Sequence, residues 1–239
     1  MIEIKDLTIS FDDKIVLDSI NLNIRKNEMT TIVGQSGCGK SVLMKAIEAL
    51  IIPRSGEILI DGTDLFSLSR KELNLTRRKI TMLFQGAALL DSLNVYQNVA
   101  LPLKEHTNLS EKEILKLVEE KLELVGLIDL HKKMPSELSG GMKKRVALAR
   151  AIILQPDYII YDEPTTGLDP IIAEEITQLM LKLHNNYEVT SIIITHDRGC
   201  IGKVKGNIAM IHNKKIVFDG KYEEFINSDL EIVKNFIAV

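Results

Sequence analysis

The chain has 239 residues, 45% hydrophobic and 26% charged, with a formal net charge of -3. That length suits one α/β domain with a substantial core and an inserted subdomain, and the mildly acidic balance argues against a protein built to grip nucleic acid. No apolar run approaches the roughly 18 residues of a membrane span, no basic-then-apolar leader is visible, and Cys38 and Cys200 make no metal or disulfide pattern, which suits a reducing cytoplasm.

In chain order, short strands are expected at Ile2–Ser10, Ile15–Ile24, Met29–Val33 and Glu57–Ile60, with turn signals between them. The third strand runs into Gly34-Gln35-Ser36-Gly37-Cys38-Gly39-Lys40-Ser41, which fits G-x-x-x-x-G-K-[ST] in a strand–loop–helix setting. Glycines let such a loop curl and aim its N–H groups inward, and the following helix (about Lys40–Leu50) adds its positive dipole end. Lys40 then reaches the β- and γ-phosphates of a nucleotide, and the Ser41 hydroxyl ligates Mg²⁺. Cys38 reads as a small residue filling a tolerant loop position. Lys79–Phe84 reads as a buried strand ending at Gln85.

Helical patterns dominate from Gly86 to Gln155. Ser110 and Glu113 form a capping box, an apolar stripe of Ile114, Leu117, Val118, Leu122 and Val125 follows, and Gly126 stops that helix. Ser139-Gly140-Gly141 opens a further helix, a second anion-binding N-terminus. The basic clusters Arg77-Arg78-Lys79 and Lys143-Lys144-Arg145 read as solvated helix faces. After Pro156 the β/α alternation returns. Tyr158–Tyr161 is a strand that delivers Asp162 and Glu163 at its C-terminal end, where open sheets bind ligands. Pro170–Leu183 is a helix, Ser191–Thr195 a strand, and Ile208–Ile211 with Lys215–Asp219 a hairpin. The expected fold class is α/β, with a parallel nucleotide-binding sheet, an antiparallel β subdomain and an inserted helical subdomain. Residues 1–239 form one domain, in which 1–85 and 156–239 make the nucleotide-binding core and 86–155 the helical subdomain.

Asp162 is expected to hold the Mg²⁺ shell and Glu163 to polarise the water that attacks the γ-phosphate. A helix N-cap pair is the plainer reading of those carboxylates, and the phosphate loop upstream makes it the minor one. One chain has little use for two separate triphosphate grips, so Ser139-Gly140-Gly141 points to a head-to-tail dimer in which each copy closes on nucleotide held by the other.

With these motifs in this order, the chain resembles the ATPase subunit of an ABC transporter over nearly its whole length. The resemblance implies ATP and Mg²⁺ as cofactors. It places Phe11 where an aromatic residue stacks on adenine, a core Phe being the rival reading. Gln85 falls at the hinge glutamine that senses Mg²⁺ and the attacking water, and Ser139-Gly140-Gly141 at the signature motif. Thr166-Gly167-Leu168-Asp169 matches the loop that links the two active sites of the dimer, and His196 the switch histidine that contacts the γ-phosphate and supports Glu163. The implied partners are a second copy of the chain, an integral-membrane permease docking near residues 86–103, and an accessory regulatory subunit, with no nucleic acid. The implied location is the cytoplasmic face of the inner membrane, held there through the permease.

The signature departs from the usual pattern at Met142, where Gln is expected. That L-S-G-G-M form and the Phe84–Leu103 segment resemble the Mla/Mce-associated lipid-transport ATPases, which points to phospholipid as cargo. Lipoprotein release, cell-division and small-solute import systems share nearly every other motif. A DNA-associated ABC ATPase is the rival from another class, disfavoured by the lack of long heptads and paired cysteines.

Overall fold

The computed structural model describes residues 1–238. Strands β1 (Ile2–Phe11), β2 (Lys14–Ile24), β4 (Ser55–Ile60) and β5 (Thr63–Asp64) form an antiparallel sheet in the order β2-β1-β4-β5. In β1 the inward residues switch parity from Ile2 and Ile4 to Leu7 and Ile9. The cause is a bulge at Asp6, whose φ of 46° inserts the extra residue that returns Leu7 to the core face.

The second sheet has the order β10-β9-β3-β8-β7-β6. Its strands are β3 (Met29–Val33), β6 (Ile80–Leu83), β7 (Tyr158–Asp162), β8 (Thr190–Ile194), β9 (Asn207–His212) and β10 (Lys215–Lys221). All neighbours pair in parallel except the terminal β10–β9 hairpin. β3 and β8 are buried at every position, as parallel strands covered on both faces must be. On one face Ile32, Ile160, Ile192 and Ile194 pack against α1 (Lys40–Ile47) and the antiparallel sheet. On the other, Leu83, Ile159, Tyr161 and Ile193 pack against α3 (Val95–His106), α4 (Glu111–Leu124), α5 (Gly140–Ile152) and α6 (Pro170–Tyr187). The helical region therefore shares its core with the sheet. A smaller cluster joins Val33, Ile208 and Met210 to α7 (Arg198–Val204), α8 (Tyr222–Ile226) and α9 (Glu231–Ala238).

Three expectations change. Helix α2 (Arg70–Arg78) was unforeseen although Ser69 and Glu72 spell a capping box that the structure closes in both directions. Helix α1 ends at Ile47, short of Leu50, because Ala49 turns left-handed (φ 55°). The carbonyls freed there accept from a side chain: Arg77 donates to Glu48 O (3.0 Å) and Ala49 O (2.8 Å). Arg77 is thus a helix stop, and the solvated-face reading holds only for its neighbours Arg78 and Lys79, which are exposed.

Candidate active site

β3, β6, β7 and β8 are parallel and adjacent through the order β3-β8-β7-β6, so their C-terminal ends open on one edge. That edge carries a cleft of about 580 Å³ lined by Gly34, Gln35, Ser36, Gly37, Gly39, Lys40 and Ser41 together with Gln85, Asp162, Glu163 and His196. The residues come from four loops that sequence separation keeps far apart. The parallel sheet brings them together.

The phosphate loop is shaped by close backbone approach. A Cβ on Gly34 (φ 150°) would lie 2.4 Å from Ile211 O in β9, so only glycine permits this start. Of the backbone N–H groups from Gln35 to Ser41, Cys38 donates to Gln35 O (3.2 Å), and the others meet no acceptor among the described residues. Lys40 is buried, and its Nζ donates to Gly34 O (2.7 Å) and Gln35 O (3.0 Å). The ammonium thus lies folded over the loop it closes, beside a ring of unpaired donors suited to an anion. Ser41 is exposed to the same cleft, and Cys38 is half-buried against the neighbouring core.

Opposite the loop, Glu163 sits in the left-handed region (φ 46°), and its N–H donates to Ile194 O (2.9 Å). The carboxylate is doubly engaged: Oε1 meets His196 Nδ1 at 2.9 Å and Oε2 accepts from the Thr166 hydroxyl at 2.9 Å. His196 stays largely open to the cleft, with 65% of its side chain exposed. Burial and the neighbouring Glu163 raise the Asp162 carboxyl, against which Lys144, Lys40 and Lys45 pull it down. Ser41, Gln85 and Asp162 offer a hydroxyl, an amide and a carboxylate, all hard oxygen donors on one cleft. No group of three or more acidic, His or Cys side chains converges among the described residues. A divalent cation here would share its ligands with a nucleotide phosphate, which is the way Mg²⁺ is held.

The remaining sequence-derived residues lie elsewhere. Phe11 is 47% exposed at the β1–β2 turn, so the core reading falls. It lines an open shelf with Lys14 and Val16, and Val16 also lines the phosphate-loop cleft. Ser139, Gly140 and Gly141 do not line that cleft. Ser139 caps α5, its Oγ accepting from Met142 N (3.2 Å). Met142 is half-buried against the helical core. Asp169 is exposed and caps α6 through Ile171 N and Ile172 N, both 3.1 Å.

In the segment beyond Gln85, Val95, Val99, Ala100 and Leu103 turn into the core, while Leu90 stays exposed, as does Phe84 just before Gln85. Asn98, fully buried, pins the loop by accepting from Leu90 N (2.8 Å) and donating to Leu93 O (2.8 Å). Ala87 and Ala88 are both left-handed, and Arg150 braces them by donating to their carbonyls at 3.0 and 2.9 Å.

Sequence reasoning misplaced Lys144. It is 4% exposed, and its Nζ donates to Glu163 O (3.3 Å) and Phe84 O (3.5 Å). Burial lowers its pKa to about 8, with Asp162 and Glu163 acting the other way. The signal was present: Gly141, Lys144, Leu148 and Ala151 recur at helical spacing and make the buried stripe of α5.

A parallel sheet whose strand ends gather a glycine-rich loop with its lysine, an acidic pair and a histidine defines a P-loop nucleotide-hydrolysing core. The family model described as ABC transporter matches residues 17–166. The chain belongs to that family, as one of its ATP-binding cassettes. It is 43% identical over 235 residues to the "Intermembrane phospholipid transport system ATP-binding protein MlaF" of Haemophilus influenzae, covering 98% of this chain and 89% of the relative. It is 42% identical over 236 residues to the "Probable ribonucleotide transport ATP-binding protein mkl" of Mycobacterium leprae, covering 99% of this chain and 68% of the relative. Among solved structures, the dimeric post-hydrolysis state of the ATP-binding cassette MJ0796 bound to ADP and Pi superposes with a TM-score of 0.83 at 33% identity, covering 92% of this chain and 98% of that one.

Proposed function

We propose that two copies of this chain bind two MgATP head to tail, hydrolyse them, and thereby drive a membrane permease that moves phospholipid. The carrying observation is a division of labour. The cleft holds the phosphate loop, the acidic strand end and His196, whereas the signature residues Ser139 to Gly141 lie outside it. A second copy supplies what the first cannot.

In this reading the loop N–H groups and Lys40 grip the β- and γ-phosphates, the ammonium exchanging its two carbonyl partners for phosphate oxygens. Phe11 stacks on the base. Ser41, Gln85 and Asp162 hold Mg²⁺, which when bound neutralises charge on the phosphates. Glu163 accepts a proton from the attacking water, while His196 and the Thr166 hydroxyl fix its carboxylate from both sides. Ser139 and the Gly141 backbone of the other copy cover the γ-phosphate, and Asp169 stands beside that junction. Because ATP favours the closed pair, binding closes it and hydrolysis reopens it. Residues 86–155 act as the lever. The permease docks on the 86–103 segment, where Leu90, with Phe84 just before the segment, offers exposed apolar contacts, and so holds the chain at the cytoplasmic face of the membrane. No described helix is long and apolar enough to cross a membrane itself.

Phospholipid as cargo is supported by the likeness to MlaF and by the L-S-G-G-M signature, and the name of the mkl relative favours a ribonucleotide instead. Purifying the tagged chain with its permease in mild detergent separates the two: enriched phospholipid supports the proposal, and a bound ribonucleotide cargo without lipid overturns it. The chemistry is tested by Glu163→Gln. This variant should bind ATP as the native chain does, lose turnover by at least about 100-fold, and accumulate as an ATP-bound dimer in size exclusion. Native turnover would remove Glu163 from its role.

A further inference from the structure

We propose that Lys144 is a positioning residue for hydrolysis, tying the Glu163 turn and the Gln85 loop to the helix that carries the signature motif. The proposal rests on the roles given above to Glu163 and Gln85. Nothing in those roles calls for a lysine at position 144.

The observations begin with burial. Lysine is almost never fully buried unless paired, yet Lys144 is 4% exposed and makes no ion pair among the described residues. Its Nζ donates instead to two main-chain carbonyls, those of Glu163 and Phe84. The first belongs to the residue that faces the cleft with its carboxylate. The second belongs to the peptide bond that enters Gln85. One ammonium therefore joins α5, the end of β6 and the end of β7.

Both tethered segments need such a tie. Glu163 is held left-handed at φ 46°, and Ala87 and Ala88 beyond Gln85 at 62° and 48°. Non-glycine residues there carry backbone strain and persist only where surroundings dictate them. A core filler of the same length would satisfy packing without drawing on these carbonyls. Moreover, burying the ammonium costs solvation that an apolar side chain would not lose. The negative fields of Asp162 and Glu163 favour the charge.

The placement also has a direction. Gly141 packs close to α6, where an added Cβ would lie 2.5 Å from Ile172 Cγ2. Helix α5 thus has little room to shift alone. A movement imposed at Ser139 by the other copy's nucleotide would reach Glu163 and Gln85 of the same chain through Lys144. In a head-to-tail pair that links one ATP site to the other.

Steady-state ATPase kinetics of the full chain test this with three variants measured together. Lys144→Met keeps length and apolar stem but removes the donor. It should lower kcat by about 10- to 100-fold, the scale expected when a reacting group shifts by about an ångström, with KM for ATP within about twofold. Lys144→Gln returns an N–H donor one bond shorter and should recover kcat to within about threefold of the native value. A native kcat in Lys144→Met, equal impairment of both variants, or a loss confined to KM would overturn the proposal. If Lys144→Met does not fold, Lys144→Gln decides alone, a tenfold or larger fall in kcat counting against it. Glu163→Gln in parallel separates the two readings. An inert Glu163→Gln beside a fully active Lys144→Met sinks only the Lys144 role, whereas an active Glu163→Gln sinks the reading beneath it.

Discussion

Helix α1 follows Gly39 and α5 starts on Gly140, and both present an N-terminal dipole end, yet the chain surrounds only one of them. Around α1 stand Gln85, Asp162, Glu163 and His196, with a lysine folded over the loop. The N-terminus of α5 is exposed and capped by its own Ser139, and its glycines approach α6 and the preceding loop rather than a cleft. Gly39 leaves the first N–H groups of α1 without a side-chain acceptor, whereas Ser139 satisfies one of α5, and the neighbourhoods differ as well. A helix N-terminus becomes a site when a sheet edge brings charged side chains to it. One left bare on the surface is half a site at most, and its complement must come from another molecule.

The strongest way to break that comparison is to remove one half from each of two copies. Lys40→Ala should abolish productive ATP binding, cutting turnover by at least about 100-fold, because the remaining loop donors lack the compensating cation. Ser139→Arg should be nearly as inactive while still binding ATP, since it fills the face offered to the partner. Mixing the two should restore turnover to about one quarter of native, because half the pairs are mixed and each mixed pair keeps one intact site of two. If mixing restores nothing, α5 does not serve a second copy, and the bare helix start is merely a turn.

The smallest expected effect concerns the edge of the α1 site. Phe11→Ala should weaken ATP binding about fivefold, the loss of about 1 kcal/mol of stacking, in a calorimetric titration. Its melting temperature should stay near native, as for an exposed side chain. A fall in melting temperature at unchanged affinity would make Phe11 part of the β1–β2 turn and no part of the site.

Much of this was legible in the residues. The Gly34–Ser41 loop announces itself because its spacing has few other physical uses, and β3, β7 and β8 read as strands because short runs rich in β-branched and apolar residues suit strands buried on both faces. Helix α2 was legible in Ser69 and Glu72, but a nine-residue segment with no buried residue carries no apolar stripe to draw notice. The apolar pattern of the 86–103 segment allowed both a docking groove and core packing; Val95, Val99, Ala100 and Leu103 fill the core, and Leu90 stays outside.

Local chemistry, then, is what the sequence by itself determined: which loop is glycine-rich and ends in a lysine, which strand ends in carboxylates, which helix follows a Ser-Gly-Gly turn. Such features rest on backbone geometry and side-chain type within about ten residues, and those are written directly in order and spacing. Only the tertiary structure decided adjacency. His196 meets Glu163 because β8 lies beside β7, and Lys144 reaches both Phe84 O and Glu163 O because α5 packs across the ends of β6 and β7. The strand order that sets those contacts comes from burying both faces of the sheet at once, a condition on the whole chain that no single segment carries.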